Sequence, residues 1–412
     1  MSFRKVLFWL HLLAGLISGI SIGIMCLTGT VLAFEKQLVA WSERDARQIP
    51  GPIPEQPRVS VDDLARRVRD ANPDTPVASI AISSDPRATV AFSLGRDNTV
   101  FANPYTGELL RPASTTLHDF LHVMVEWHRF LALTGEQRPI GKVINGVCNL
   151  AFFALAITGL YLWMPRNWSW RSVRAVAVFN GKLTGKARDF NWHNVIGLWS
   201  APILIILTLT AVPISFRWGT SLIYSLAGET PPAAGRPAAS TAPAIDLPTP
   251  ANGFHALTRE LQFAAVQNEF PQWEQITLRL IAPSRGRPAP GASPGSTPSA
   301  DATAASKEAR GAKVQPLNFT VKPPGTWPRT ASTSVVMNPF TGDLLSRETF
   351  ADLSTGRQIR TWTRFLHTGE AVGWAGQLIA GLASLGGCFL VYTGFALAWR
   401  RFFGKSPADP VS

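Results

Sequence analysis

Four runs of apolar residues, each long enough to cross a lipid bilayer, constrain this chain of 412 residues more than any other feature. A transmembrane helix needs roughly 20 mostly apolar residues to cross a hydrocarbon core of about 30 Å. The runs cover residues 6–34, 140–164, 192–216 and 373–399. Buried helices of soluble proteins rarely reach this length with so few charges, so we predict four transmembrane helices. The first run is too long for the apolar core of a signal peptide, so we keep it as a span.

Arg and Lys residues cluster on one side of the predicted spans. The loop at 165–191 is rich in them and contains one acidic residue, Asp189. Residues before the first span and the tail at 400–412 are also basic. Short basic loops stay in the cytoplasm, so we predict a multi-pass protein of the bacterial inner membrane with both termini cytoplasmic. The net charge of +12 therefore reflects topology, and we see no nucleic-acid-binding motif.

The three cysteines, Cys26, Cys148 and Cys388, all fall within predicted spans. This placement excludes a disulfide framework, an iron–sulfur cluster and a structural zinc site. We find no nucleotide-binding or hydrolase motif. The spans contain no Asp or Glu, so an ion pathway is also poorly supported.

Motifs of the first half return in the same order in the second half, which predicts an internal repeat. His11 and Gly15 match His193 and Gly197. The other matches, in chain order, pair Thr28 with Thr210, Phe34 with Phe216, 103–110 with 338–345, 127–131 with 362–366, 134–136 with 368–370 and 157–159 with 392–394. Both halves cross the membrane in the same direction, so the predicted twofold axis runs along the membrane normal. We expect this axis to bring the first and third spans together, and likewise the second and fourth.

The segments between the spans of each half predict two external α+β domains. In the first, at 35–116, Ser60 has the position of a helix N-cap with Asp63 three residues later. The second, at 217–359, repeats the order of a helix followed by strands. The predicted strands are 77–82, 89–94 and 98–102 in the first domain, and 275–281, 314–321 and 332–337 in the second.

Two insertions interrupt the second domain, at 231–250 and 283–313. They are rich in Pro, Ala, Gly and Ser, a composition that cannot bury enough apolar surface to order itself, so we predict disorder. An amphipathic stretch leads from each domain into the next span, at 117–139 and at 360–372. Tryptophans in these stretches suit the membrane–water interface.

Two histidines lie inside spans, His11 and His193, where an ionisable residue is a functional candidate by default. Below His11, Gly15, Gly19 and Gly23 share one helix face. Haem iron takes neutral imidazoles from facing helices, and a face without side chains leaves space for the macrocycle. We therefore interpret His11 and His193 as haem ligands on the cytoplasmic side. The alternative is that the glycines only pack helices closely.

A second pair, His128 and His367, stands on the external side. In the repeat, His128 matches Thr363 and His367 matches Ala132, so the two histidines lie one helical turn apart on equivalent helices. We expect them to approach each other from opposite halves as haem ligands. His122 competes for this role. Alternatively, His118 and His122, which are four residues apart, could bind a divalent metal weakly.

Arg129 and Arg364 are matched neighbours of the external histidines. Arg can pair with a carboxylate through two hydrogen bonds, so both are candidates for binding haem propionates. The alternative is that these arginines only extend to the membrane surface.

Several of these motifs together resemble the PepSY-associated transmembrane family, and within it the ferric-siderophore reductase-like membrane proteins. They are Leu10-His11 with Gly15, Trp127-His128-Arg129, the Asn-Pro-Tyr-Thr-Gly turn at 103–107, His193 with Gly197, Leu366-His367 and the Thr-Gly pairs of the second and fourth spans. The resemblance implies four spans, two periplasmic PepSY-type domains and b-type haem, two groups per chain. It also implies His11, His193, His128 and His367 as axial ligands.

From these observations we expect an oxidoreductase. An unidentified cytoplasmic or membrane donor would supply electrons, and a ferric siderophore outside would be reduced to release iron(II). One alternative is a membrane scaffold without haem that binds or regulates a partner through its external domains. A siderophore transporter is a weaker alternative, because the spans offer no polar path.

Overall fold

The protein is described by a computed structural model that covers residues 2–403 except 52, 54, 96–97, 113–114, 166, 233–254 and 281–314. Helix dominates this part of the chain. The helices are α1 Phe3–Leu32, α2 Glu35–Ser42, α3 Arg44–Arg47, α4 Val61–Ala71, α5 Thr116–Phe130, α6 Arg138–Trp163, α7 Trp170–Ala177, α8 Gly185–Ser215, α9 Arg217–Leu226, α10 Arg259–Glu269, α11 Thr355–His367 and α12 Trp374–Phe402. Short 3-10 turns, Gly135–Gln137 and Glu370–Val372, precede α6 and α12.

Four helices in the described residues are long and apolar enough to cross a membrane: α1, α6, α8 and α12. The prediction of four spans is confirmed, and the chain is a multi-pass membrane protein. The helix α8 begins at Gly185, before the predicted span, because the basic loop residues that precede the apolar run continue the helix.

The spans form a ring, and this corrects the expectation that the first and third spans lie together. Helix α1 contacts α6 and α12, and α8 contacts the same two helices. The first and third spans therefore face each other diagonally, as do the second and fourth. A twofold axis through the centre of a four-helix ring relates diagonal helices rather than neighbours. An apolar cluster to which all four helices contribute fills the middle of the ring: Ile22, Met25, Cys26, Phe152, Leu204 and Ala383.

The strands of the two segments that follow the first and third spans form one antiparallel sheet with the order β4-β3-β2-β1-β5-β6-β7-β8. The strands are β1 Ser79–Ser83, β2 Val90–Ser93, β3 Thr99–Ala102, β4 Leu109–Leu110, β5 Gln275–Arg279, β6 Leu317–Lys322, β7 Thr333–Met337 and β8 Leu344–Glu348. The predicted strands are thus present, but the two segments that we predicted as separate α+β domains share one sheet. An unpaired strand edge exposes a row of backbone donors and acceptors, and pairing β1 with β5 satisfies both edges at once.

Alternating apolar residues along the paired strands build the core of the sheet region. Ile80 lies opposite Leu278 and Ile82 opposite Ile276 at the β1–β5 seam. All four are buried in one cluster, to which α4 and α10 add their apolar faces. Side chains of a strand alternate between faces, so a seam with this register gives both halves a common apolar layer.

Across the same seam, α4 and α10 each supply a carboxylate that caps the N-terminus of the other helix. Ser60 accepts a hydrogen bond from the Asp63 amide at 3.1 Å, which confirms the predicted cap. The Asp62 carboxylate accepts from the backbone N–H of Arg259 at 3.0 Å, and the Glu260 carboxylate accepts from that of Val61 at 2.9 Å. Each carboxylate therefore stabilises the positive N-terminal end of the other half's helix. The two predicted insertions, 231–250 and 283–313, lie outside the described residues except for residues 231–232.

The amphipathic lead-in stretches form α5 and α11, which join the sheet to the ring of spans. Helix α5 contacts α1 and α6, and α11 contacts α8 and α9. Helix α5 ends in a tight corner at which Leu131 and Ala132 adopt left-handed backbone conformations. Asn145 of α6 donates to the His128 carbonyl at 2.8 Å across this corner. The corner thereby fixes the end of α5 relative to α6, the second span.

Candidate functional site

The four predicted ligand histidines lie at the two ends of the ring. His11 of α1 and His193 of α8 lie at the end that carries the N-terminus, and we call them the terminus-side pair. His128 of α5 and His367 of α11 lie at the end that carries the sheet, and we call them the sheet-side pair. At about 1.5 Å per residue, the stretch of α1 from His11 to Thr28, which bonds His128, spans roughly 25 Å. Since a hydrocarbon core is about 30 Å thick, the pairs lie near opposite faces.

Both terminus-side histidines bond a threonine of a neighbouring span. Nδ1 of His11 lies 2.9 Å from Oγ1 of Thr158, and Nδ1 of His193 lies 2.9 Å from Oγ1 of Thr393. Each threonine hydroxyl donates its proton to the carbonyl one turn earlier in its own helix. A hydroxyl has one proton, so its oxygen accepts from the imidazole. This leaves Nε2 of both histidines with a free lone pair.

The sheet-side histidines have the same tautomer for related reasons. Nδ1 of His128 lies 2.9 Å from Oγ1 of Thr28, and that hydroxyl donates to the Ile24 carbonyl at 2.6 Å. Nδ1 of His367 donates to the Leu207 carbonyl at 2.9 Å, and a carbonyl can only accept. Oγ1 of Thr210 stands farther from the same nitrogen, at 3.5 Å. Both Nε2 atoms are therefore acceptors.

The imidazole rings of His128 and His367 lie together, with centroids 6.3 Å apart and planes inclined by 48°. A metal ion takes an imidazole nitrogen at about 2 Å, so two imidazoles on opposite sides of one metal have centroids roughly 6 Å apart. Burial lowers the pKa of His128 to about 4 and also lowers the pKa of His367. Both imidazoles are then neutral, the form that ligates iron. The pair fits the spacing and the protonation of a haem held by two histidines.

The glycines below His11 do not form the groove that we expected. A Cβ built on Gly19 would lie 2.7 Å from the Phe395 ring of α12, and one on Gly23 would lie 3.5 Å from Val391. Only Gly15 of the three faces open space. The face is filled by side chains of α12, so close helix packing, the alternative interpretation, accounts for Gly19 and Gly23.

Other glycines make room for the histidines themselves. A Cβ on Gly159 would lie 3.2 Å from Cε1 of His11, and one on Gly29 would lie 3.3 Å from Cε1 of His128. Gly394 has the same relation to His193, at 3.7 Å. Each of these glycines directly follows a threonine that bonds the histidine. A Thr-Gly pair therefore supplies both an acceptor for Nδ1 and space for the ring.

The role of these threonines was not predicted from the sequence. The Thr-Gly pairs at 158–159 and 393–394 were recognised only as matches of the repeat and as family motifs. A signal was nevertheless present in the sequence. Each of the four candidate histidines has a corresponding Thr-Gly pair in a span, or the Thr-Ala pair at 210–211. Threonines inside helices commonly bond their own backbone, so this signal alone does not identify a histidine partner.

His122 and His118 lie away from the sheet-side pair. His122 has half of its side chain exposed and stands 4.0 Å from Glu126. His118 lies 3.0 Å from the buried carboxylate of Glu43. The described residues contain no group of three or more His, Cys, Asp or Glu side chains able to hold a metal ion. The geometry thus brings His128, rather than its competitor His122, to His367.

The arginine candidates are exposed at the same end. The guanidinium of Arg129 lies over the Phe130 ring at 5.2 Å, and that of Arg364 over the Phe365 ring at 5.8 Å. These matching stacks hold two cations near the sheet-side pair. At the other end, Arg188 and Arg400 both pair with the buried Asp189.

Comparison with known proteins identifies the family. A search of proteins with curated functions finds no match. The family model described as the PepSY-associated TM region matches residues 8–401, nearly the whole chain, which agrees with the resemblance seen in its motifs. The chain is therefore a member of the PepSY-associated TM region family.

Proposed function

We propose that this protein is a haem-containing transmembrane electron carrier that reduces ferric siderophores on the sheet side of the membrane. The observation that carries the proposal is the sheet-side pair. Its two imidazoles come from different halves, stand 6.3 Å apart, and have Nδ1 occupied by hydrogen bonds to α1 and α8. Helices α5 and α11 thus present two imidazoles, each with an unprotonated Nε2, whose ring centroids have the separation expected for two ligands of one iron.

His11 and His193 would hold a second haem at the other end of the ring, for a total of two b-type groups. Bound haem supplies a one-electron couple at each end, with a potential set by its axial ligands and burial. The protein's part is to orient the imidazoles and to keep water and ions out of the apolar layer between the pairs. Arg129 and Arg364 would bind propionates of the sheet-side haem. No acid–base side chain is required for one-electron transfer.

The charge distribution supports an orientation for this activity. The described part of the segment from the end of α6 to the first turn of α8 carries Arg171, Arg174, Lys182 and Lys186 as exposed cations. Such loops remain cytoplasmic, which would put the terminus-side pair near the cytoplasm and the sheet in the periplasm of a bacterial inner membrane. An unidentified cytoplasmic or membrane donor would then reduce the terminus-side haem. The ferric siderophore would be reduced beside α5 and α11.

The matched contacts of the two halves support the repeat on which this proposal draws. His11 with Thr158 corresponds to His193 with Thr393 at the same 2.9 Å distance. The sheet continues the pattern, since its two four-stranded parts have mirror-related orders on either side of the β1–β5 seam. Duplication followed by divergence would give one chain with a haem pair at each end.

Purified protein tests the proposal directly. Cells well supplied with iron and porphyrin should yield a preparation with a Soret band that shifts on addition of dithionite. A pyridine haemochrome assay should give two haems per chain. A colourless preparation would overturn the haem assignment and favour the membrane scaffold acting through its external sheet.

The substrate is tested separately on the reduced protein. Anaerobic mixing with a ferric siderophore should reoxidise the haem and release iron(II) to a ferrous chelator. His128→Ala should abolish this release, whereas His122→Ala should leave it unchanged. Haem that stays reduced in the presence of several ferric chelates would contradict the reductase and leave an electron carrier for another acceptor.

A further inference from the structure

We propose that Thr28, Thr158 and Thr393 are positioning residues that set the tautomer and the donor strength of the haem-binding histidines, and that Thr210 is not. This inference deepens the proposed function and rests on it. It assigns a role to three hydroxyl groups within the spans, of which those of Thr28 and Thr393 belong to buried residues and that of Thr158 to a partly buried one.

The three threonine hydroxyls accept hydrogen bonds from the histidine Nδ1 atoms. Each of the three hydroxyls lies 2.9 Å from Nδ1 of its histidine. Each also donates to the carbonyl four residues earlier, at 2.7 Å for Thr158, 2.6 Å for Thr28 and 2.7 Å for Thr393. The hydroxyl proton is thus engaged, and only a proton on Nδ1 completes the second contact.

A proton held on Nδ1 leaves Nε2 free to bind a metal. With the proton held on Nδ1, Nε2 keeps the lone pair that a metal requires. A hydrogen bond donated by the other ring nitrogen also raises the basicity of the ligating one and fixes the ring's orientation. Without the threonine oxygen, Nδ1–H would lose its hydrogen bond at 2.9 Å, and the tautomer protonated on Nε2, which cannot bind iron, would gain population.

His367 is the exception, because its closest acceptor is a backbone carbonyl. His367 donates to the Leu207 carbonyl at 2.9 Å, while Oγ1 of Thr210 is at 3.5 Å. The backbone therefore supplies the acceptor, and no substitution of a side chain removes it. Thr210 belongs to the same sequence pattern as the other three but should be dispensable. The structure thus predicts different outcomes for four threonines that the sequence presents as equivalent.

The test compares Val and Ser substitutions at these positions. Val keeps the branched shape without the hydroxyl, and Ser keeps the hydroxyl. Haem transfer from detergent-solubilised holoprotein to excess apomyoglobin measures retention at each end, and a redox titration measures the midpoint potentials. Thr158→Val, Thr393→Val and Thr28→Val should each weaken haem binding at one end by about 10- to 100-fold, the usual effect of losing such a partner. The midpoint potential of the affected haem should rise, because a less basic imidazole stabilises iron(III) less.

Controls separate positioning from packing. Thr158→Ser, Thr393→Ser and Thr28→Ser should restore retention and potential. Thr208→Val should change neither, since Thr208 is a buried threonine of α8 that bonds its own backbone at 2.7 Å and contacts no ligand histidine. Thr210→Val should also change neither.

Each outcome bears on the inference. If wild-type protein holds haem but the Val and Ser variants behave alike, the positioning role is wrong while the proposed function stands. A loss with Thr210→Val equal to that with Thr28→Val would also overturn it. Wild-type protein without haem would instead end the proposed function.

Discussion

The terminus-side and sheet-side pairs are built in different ways. His11 and His193 occupy matching positions of the two halves, and each bonds a threonine of a neighbouring span. His128 and His367 occupy non-matching positions on helices outside the spans. Thr363 takes the place that corresponds to His128, and its hydroxyl bonds its own helix at 2.5 Å.

The two halves of the chain therefore contribute to the two pairs in different ways. At one end, each half supplies a histidine at the matching position. At the other end, each half supplies a histidine at a different turn, and the pair forms only where α5 and α11 meet. The terminus-side pair therefore depends on packing among the spans, and the sheet-side pair also depends on the corners where α5 and α11 join them.

Removing one sheet-side histidine should give the largest difference between the two ends in the amount of haem bound. His367→Ala should eliminate about half of the bound haem, because one imidazole of a two-histidine site cannot retain it, and should leave the terminus-side haem in place. Haem per chain by pyridine haemochrome measures the loss. His11→Ala should remove the other half. If His122→Ala costs as much haem as His367→Ala, the sheet-side pair is wrongly assigned.

A smaller effect is expected at the corner between α5 and α6. A Cβ on Gly141 would collide with the Phe130 carbonyl, which is backbone and cannot rotate away. Gly141→Ala should cost about 1 to 3 kcal/mol in that packing and weaken only the sheet-side haem. The apomyoglobin transfer rate of each haem checks this. Gly15→Ala is the matched control, since nothing lies within 4 Å of its added Cβ, and equal losses from both variants would contradict the predicted asymmetry.

The smallest effect should come from Asn145→Ala. Asn145 is buried and donates to the His128 carbonyl at 2.8 Å. Losing one such bond costs about 1 kcal/mol, so sheet-side haem should transfer several-fold faster while the terminus-side rate stays constant. Asn194→Ala serves as the control, because Asn194 bonds only a carbonyl of its own helix, at 2.7 Å, beside His193. A change confined to the terminus-side haem in Asn145→Ala would reverse the comparison.

Length and hydropathy were enough to predict the spans, because few soluble structures tolerate such runs. The Ser60 cap was predictable because its signal is local. The β1–β5 seam was not, since both strands alternate in the same way whether they pair with each other or end two separate sheets. The glycines under His11 were misread because one spacing serves both helix packing and a ligand groove. The choice between His122 and His128 required the helical phase relative to α11, which no single helix contains.

The β1–β5 seam has a consequence for the chain as a whole. Because each half supplies the other's central strand partner and a helix cap, neither half has a complete sheet-side fold of its own. If the chain is divided within the loop before α8, the two halves should be poorly soluble when produced separately and should reassemble when produced together. Backbone hydrogen bonds between β1 and β5, and not the membrane alone, would hold them together.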